Sequence, residues 1–512
     1  MPWSQSFRDS LQDTSKINEY ALVFVPGGVN SLLTQGATIS DGGEVIKLTD
    51  AKVTIDNCQI TPQRWSMNFG GFTIEIMGDI RPIKNSVFKK GALAELYILR
   101  NKQHQERIAI GQLRSIKGKR GVWTLVFGDF ISALVNRFTS QENKLNFYYN
   151  TGERTQVTST FTFSSSPNLY LNDVTIFEKD STGEGMVKVS RGGTIGYYKY
   201  DLILVTSSPA GYLRITDTHA WPASAATPIL QVGDSVSNVA FLAGSPNSIL
   251  AKTIMSTGFQ SQGSFDTFPK SWGSGLSFKP DIIDFLNMGY WNTVLQPSTG
   301  TYEFGLIVEE PQASGIRYLT SKMLQAGIWP VFLQNSISFR CCQDPNNAYM
   351  VTFTKSIIDR DIIEVLSHEI YSPSASNVYR QTRIKTITAS FVDITHSLSQ
   401  SSVQSLPVAD NIERDMQLIY KAGGGTPQQM AYRDRDRLKK WDFYPWEELI
   451  LSVTERFATL VAGDIVEITS DFLYGFSEAV GKTYSGRRGM ILGCRWQPDL
   501  SRCILRIGIV RI

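Results

Sequence analysis

The sequence predicts a mainly β protein with an α+β insert: two β-barrel domains plus a mixed helical and strand domain. Three observations point there. Apolar residues recur at every second position through long stretches, the signature of half-buried strands. Turn-forming residues punctuate those stretches, with 41 glycines in the chain and aromatics at 11%, as in β-rich folds. Finally, 512 residues exceed what one hydrophobic core organises, since cores stop growing near roughly 250–300 residues.

The segment from Trp65 to Phe138 carries the clearest pattern. Phe72, Ile74 and Ile76 alternate, as do Leu96 and Ile98, and then Trp123, Leu125 and Phe127. Asp129 stands where it would cap a helix carrying Phe130, Leu134 and Val135. Upstream, ALVFVPGG and KVTIDNCQIT are strands ending in turns and complete the first barrel. Downstream, TQVTSTFTF reads as a strand and the Ser-Ser-Ser-Pro that follows as a boundary, which places an N-terminal barrel over 1–168.

Residues 169–244 read as further strands, part of the second barrel or a linking sheet. The period changes at Ser245-Pro246, a helix cap and first-turn proline, with Ile249, Leu250 and Ile254 on one face and Gly258 as the stop. KPDIIDFLNMGYW and GIRYLTSKMLQAGIWP are two more helical candidates, and VFLQNSISFRCCQ and AYMVTF read as hairpin strands, giving an α+β insert over 245–350. Residues 351–512 return to strands and complete the second barrel. There Gly463-Asp464 opens one strand, and Pro498-Asp499 turns the last two into a hairpin.

Composition narrows the function. A net charge of +3 with 19% charged residues gives no electrostatic footprint of a sequence-independent nucleic-acid binder. Five scattered cysteines do not make a disulfide framework, so synthesis in a reducing compartment is expected. No basic and apolar leader opens the sequence, and no run of about 18 apolar residues suggests a membrane segment.

No motif carries recognisable chemistry, so the expectation is of no enzyme, cofactor or metal. In GFSEAVGKTYSG five residues separate Gly475 from Gly481, where a phosphate loop needs four. Cys341 and Cys342 are adjacent and on a strand would point to opposite faces, while Cys494 and Cys503 flank a turn with no further ligands near in sequence. The four histidines, at 104, 219, 368 and 396, are dispersed. Carboxylates cluster at Asp359, Asp361 and Glu364 and at Glu447-Glu448; a glycosidase would need two of them facing across a cleft. The alternating charges of Arg433 and Arg435 run into Trp441, Phe443, Tyr444 and Trp446. With Trp65 and Trp123 they are the expected interface residues, because Trp, Tyr and Arg are enriched where proteins meet.

In order and spacing these stretches resemble the tail hub, or baseplate hub, proteins of long-tailed bacteriophages and gene transfer agents. The resemblance rests on GFTIEIMGDIRPI, KKGALAELYIL, ERIAIGQLRSI and VWTLVFGDFISAL, then SPNSILAKTIMSTG, FDTFPKSWGSGL and Asp281–Leu286, and finally VAGDIVEITS with MILGCRWQPDLSRCILRI. It implies two tail-tube-like barrels per subunit and a homotrimeric, pseudo-six-fold ring. Such a ring joins the hexameric tail tube, or a distal tail protein ring, to a three-fold spike or tail-tip protein, and its lumen passes viral DNA. It further implies a virion location after synthesis in the bacterial cytoplasm. The appended hydrolase domain of lysozyme-bearing hubs and the four-cysteine set of some tail-tip homologues are not recognisable in the sequence. The alternative is a tail-associated carbohydrate-active protein, cleaving peptidoglycan or binding glycans through the acids around Asp359–Glu364 and tryptophans such as Trp272 and Trp291.

Overall fold

A computed structural model of the chain describes residues 3–12, 18–24, 44–48, 51–62, 66–77, 92–101, 104–129, 152–164, 166–179, 183–221, 229–244, 249, 261–262, 265–266, 304–310, 315–325, 327–333, 336–342, 345, 355–371, 379–386, 391–397, 416–418, 441, 446–474 and 483–510. The expected helices after Asp129, at 245–258 and in KPDIIDFLNMGYW lie outside these residues, apart from Ile249.

A short helix α1 (Gln5–Ser10) opens the chain, started by the Ser4 hydroxyl, which accepts from the Phe7 amide at 3.3 Å. The N-terminal strands are β1 (Asn18–Phe24), β2 (Glu44–Leu48), β3 (Lys52–Asp56), β4 (Gly71–Met77), β5 (Leu93–Arg100), β6 (His104–Lys119) and β7 (Val122–Asp129). The middle supplies β8 (Arg154–Gln156), β9 (Asn168–Leu171), β10 (Gly185–Arg191), β11 (Thr194–Ser207), β12 (Ala210–Trp221), β13 (Ser235–Gly244) and β14 (Phe304–Val308). Helix α2 (Gly315–Gln325) and the hairpin β15 (Ile328–Leu333) with β16 (Ser336–Cys341) come next. The C-terminal part holds β17 (Lys355–Ile358), β18 (Ile362–Tyr371), β19 (Trp446–Thr454), β20 (Ile465–Tyr474), β21 (Thr483–Gln497) and β22 (Arg502–Val510). Tyr379–Thr386, Phe391–Ser397 and Met416–Leu418 form a separate small sheet.

The chain is mainly β, as expected. Its two ends, expected to build separate barrels, share one 13-stranded sheet among the described residues, in the order β2-β1-β5-β6-β7-β4-β3-β21-β22-β19-β18, with β20 also on β21 and β17 parallel to β20. The join is the antiparallel pairing of β3 with β21, Asp56 opposite Arg495 and Ile55 opposite Trp496. Alternation explains the cohesion. Phe72, Ile74 and Ile76 of β4 all point inward, as the period of two requires, and one apolar core runs from Leu22, Leu96 and Ile98 to Leu449, Leu451, Leu505 and Ile507. Phe72 and Phe127 stack at its centre, 4.3 Å between ring centroids.

Polar groups fix the same join. The Arg100 guanidinium on β5 meets Glu455, just after β19, at 2.6 Å; the side chains are 0% and 1% exposed. Arg100 also donates to the Ser10 carbonyl at 3.2 Å, and the Trp496 indole donates to Glu455 at 2.9 Å. Asp499, in the turn between β21 and β22, accepts from the Tyr20 hydroxyl at 2.5 Å and from the Val53 amide at 2.6 Å. The expected Pro-Asp turn therefore holds two N-terminal strands as well as its own hairpin.

A second, seven-stranded sheet has the order β8-β13-β10-β11-β12-β9, with β14 on β13. Val187, Val189, Tyr198, Tyr200, Leu213 and Ile215 are buried together on its inner face. Gly192 and Gly193, both at positive φ, make the two-residue turn between β10 and β11. The expected boundary at 168 falls inside this sheet. β8 pairs with β13, so the change of sheet comes between Asp129 and Arg154. The Ser-Ser-Ser-Pro run is a loop between partners of one sheet: Phe161 bridges Leu230, and the Ile215 amide donates to the Pro167 carbonyl at 2.7 Å. β14 lies within the expected α+β insert, yet it extends this sheet by pairing with β13.

On the outer side of this sheet Arg214 holds Asp201 in a two-pronged fork, at 2.7 and 2.6 Å. That hydrogen bonding keeps the Asp201 carboxyl below its usual 3.8. A carboxyl depressed in the folded chain contributes stability above its unfolded pKa, and the contribution disappears as pH falls through the folded value. Arg214→Met is therefore expected to lower stability slightly at neutral pH, less so in high salt, and to leave it unchanged at the acid end, as read from urea midpoints at a series of pH values.

Helix α2 is where its sequence places it, and ends before Gly327, whose positive φ of 71° and amide bond to the Leu324 carbonyl close the last turn. The hairpin β15–β16 follows, formed within the expected strand stretch VFLQNSISFRCCQ together with the residues just before it, while AYMVTF lies outside the described residues.

Candidate assembly surface

Of the eight expected interface residues, three are described. Trp123 on β7 is half-buried, packed against the margin of the main core and over Gly118, where an added Cβ would come within 2.7 Å of the indole. Trp441 and Trp446 are 1% and 3% exposed, inside a second core cluster with Trp329, Val461 and Leu492. Trp446 stacks on Tyr371 at 4.5 Å, and Trp441 meets Trp446 edge-on at 5.6 Å. These two rings serve the chain's own interior, because the hairpin β15–β16 supplies the apolar surface that a neighbour would otherwise have to bring. Trp65, Arg433, Arg435, Phe443 and Tyr444 lie outside the described residues.

The acids are committed to partners within the chain. Asp361 is buried and paired with Arg456 at 2.5 Å, and it also accepts from the Ile358 amide at 3.0 Å. Asp359 accepts from the Asp471 amide at 3.1 Å, while Glu364 is exposed. Glu447 is fully buried, receiving the Tyr484 hydroxyl at 2.6 Å and lying 2.9 Å from His368 Nε2. Glu448 pairs with Arg506 at 2.8 Å. Of these acids, Asp361, Glu447 and Glu448 are held by Arg456, Tyr484 and Arg506 within the chain. Trp272, Trp291 and the segment Gly475–Lys482 are outside the described residues.

All five cysteines are buried free thiols. Cys494 and Cys503 do approach one another across the last hairpin, where burial and the Cys494 thiol push Cys503 upward, away from the reactive thiolate. No group of three or more His, Cys, Asp or Glu side chains suited to a metal occurs among the described residues, and no described helix is long and apolar enough to cross a membrane.

Gly463-Asp464 is a structural knot. Gly463 sits at φ +101°, and a Cβ there would come within 2.6 Å of the Arg340 Cβ. Asp464, nearly buried, takes the Arg340 guanidinium at 2.7 Å and the Val461 amide at 3.0 Å. The Trp329 indole donates to the Ala462 carbonyl at 3.0 Å. This knot ties the β15–β16 hairpin to the main sheet.

The surface feature that motif reading passes over is β18, the last strand of the 13-stranded sheet. Ile363, Val365, Leu366 and Ile370 are 55%, 37%, 44% and 46% exposed. The signal was present in the sequence: the apolar run Ile362-Ile363-Glu364-Val365-Leu366 does not alternate, so a strand made of it must present apolar side chains on both faces.

No protein-family model and no curated protein matches the chain. Among solved structures it is similar to a tail protein from Neisseria meningitidis, at 10% identity over 96% of each chain and a TM-score of 0.38. It is also similar to the 43 kDa tail protein of prophage MuSo2 from Shewanella oneidensis, at 10% identity over 97% of this chain and 98% of that one, with a TM-score of 0.36. A third is a chain of a native gene transfer agent virion, 14% identical over 46% of this chain and 84% of that one, with a TM-score of 0.18. All three TM-scores are below 0.5, and the functional reading rests on the chain's own sequence and geometry.

Proposed function

We propose that this chain is a structural tail protein of a bacteriophage-type particle, and more finely a tail or baseplate hub. In this role three copies form a pseudo-six-fold ring that joins a hexameric tail tube, or a distal tail protein ring, to a three-fold spike or tail-tip protein, and viral DNA passes through the lumen. The role requires no catalysis. The observation that carries the reading is the 13-stranded sheet itself, shared by both ends of the chain and ending in a long apolar strand edge. Such an edge suits a protein whose task is to join others, since monomers protect their edges with charge, proline or short strands. The order of the hub-like sequence stretches supports the finer statement. The commitment of Asp361, Glu447 and Glu448 to Arg456, His368 and Arg506 weighs against peptidoglycan cleavage.

Mass photometry of the purified chain tests this. The expected species has three times the 57.2 kDa subunit mass and forms a ring in negative stain. A stable monomer that cleaves purified peptidoglycan would overturn it.

A further inference from the structure

Open strand edges carry unpaired N–H and C=O groups and are ready templates for another chain. In the second sheet the outer strands β8 and β9 are short, three and four residues. β18 is different. It is ten residues long and ends the main sheet among the described residues, and its exposed side chains include Ile363, Val365, Leu366 and Ile370. Its pairing with β19 shifts register between Ile362 and Glu364 and again between Val365 and Ser367. The two extra residues are therefore Ile363 and Leu366, two of the most exposed apolar side chains of the strand. Bulges normally blunt an edge; here they push apolar groups outward. The next strand, β19, is almost wholly buried, so the apolar exposure at this end of the sheet belongs to β18.

Among the described residues, β2 stands at the far end of the same sheet. We propose that β18 is a joint between copies of this chain, receiving the β2 edge of the neighbouring copy so that the sheet continues from one subunit into the next. The sheet itself argues for this occupant, because one chain offers both halves of the joint. Charge argues against β18 pairing with itself: the strand brings Glu364 and Glu369 and no Lys or Arg, so two copies would set acids beside acids. β2 brings Lys47. A joint of two different edges is head-to-tail, and it ends in a ring when the rotation closes. Closure at three members rests on the hub reading; the joint itself does not.

The test uses the full-length chain with single cysteines at Glu364 or Val365 on β18 and at Val45 or Ile46 on β2, alone and in the four pairwise combinations, so that both faces of each strand are sampled. The five native thiols are buried, and the unsubstituted chain is the control. After mild oxidation, at least one pair is expected to give a non-reducing ladder ending at trimer, and no single variant is expected to cross-link. In parallel, the double variant Ile363→Lys/Leu366→Lys should be monomeric, with far-ultraviolet circular dichroism unchanged. Dimers from a single β18 cysteine would overturn the joint in favour of β18 pairing with itself. A trimeric control with no cross-linked pair and a still-trimeric lysine variant would overturn the joint and leave the hub reading standing. A monomeric control without cross-links would overturn both.

Discussion

Glu455→Ala is expected to destabilise the chain by about 3–5 kcal/mol, because it leaves the Arg100 guanidinium buried and without its counter-charge. Arg100 would keep its bond to the Ser10 carbonyl, and the Trp496 indole would lose its acceptor. The loss should appear as a lowered urea midpoint of the 13-stranded sheet, and near-ultraviolet circular dichroism should report Trp496 at the same midpoint. The attraction of the pair is not itself worth this much, since burying two charges consumes most of the gain. The double variant Arg100→Met/Glu455→Leu, which removes both charges and keeps the volume apolar, should therefore recover most of the lost stability. If the double variant is as unstable as Glu455→Ala, burial of an orphaned charge is not the cause.

The second large effect is expected at the Gly463 knot. Gly463→Ala must place a Cβ within 2.6 Å of the Arg340 Cβ while holding φ near +101°, a conformation that L side chains rarely adopt. Asp464→Ala removes the carboxylate that the buried Arg340 guanidinium meets at 2.7 Å. Each should cost about 2–4 kcal/mol, and both should loosen the hairpin β15–β16 first, seen as increased amide exchange over Ile328–Cys341. On the proposed reading both also impair assembly, because the hairpin covers the tryptophans that support β18 and β19. Equal amide exchange in the hairpin of the variant and the parent would refute the structural part of this expectation.

Local patterns were legible in the sequence, and distant ones were not. The alternation of Phe72, Ile74 and Ile76, the helix in GIRYLTSKMLQAGIWP and the Pro498-Asp499 turn are written in a few neighbouring residues, and each has its expected form. The merging of both chain ends into one sheet has no local signature. It depends on Ile55 finding Trp496 and on Arg100 finding a carboxylate 355 residues away. The boundary at 168 failed because Ser, Thr and Pro mark turns whether a loop lies between domains or within one sheet. Trp441 and Trp446 were read by composition as interface residues, and composition does not distinguish a ring that meets a neighbour from one buried under the chain's own hairpin. Conversely, the acids drew attention to 359–364 while the apolar residues among them held the surface signal.

The seam between β3 and β21 also sets the order of events during synthesis. Tyr20 is held by Asp499, 479 residues further along the chain, and the core around Leu22 and Leu96 includes Leu505 and Ile507. Domains ordinarily fold as they emerge, N-terminal first. Here the first core stays incomplete until Leu505 and Ile507 have left the ribosome, and contacts of such long sequence separation form slowly. A product truncated before Arg502 therefore lacks a central strand of the sheet that holds β18 and would not present a properly supported edge to its neighbours.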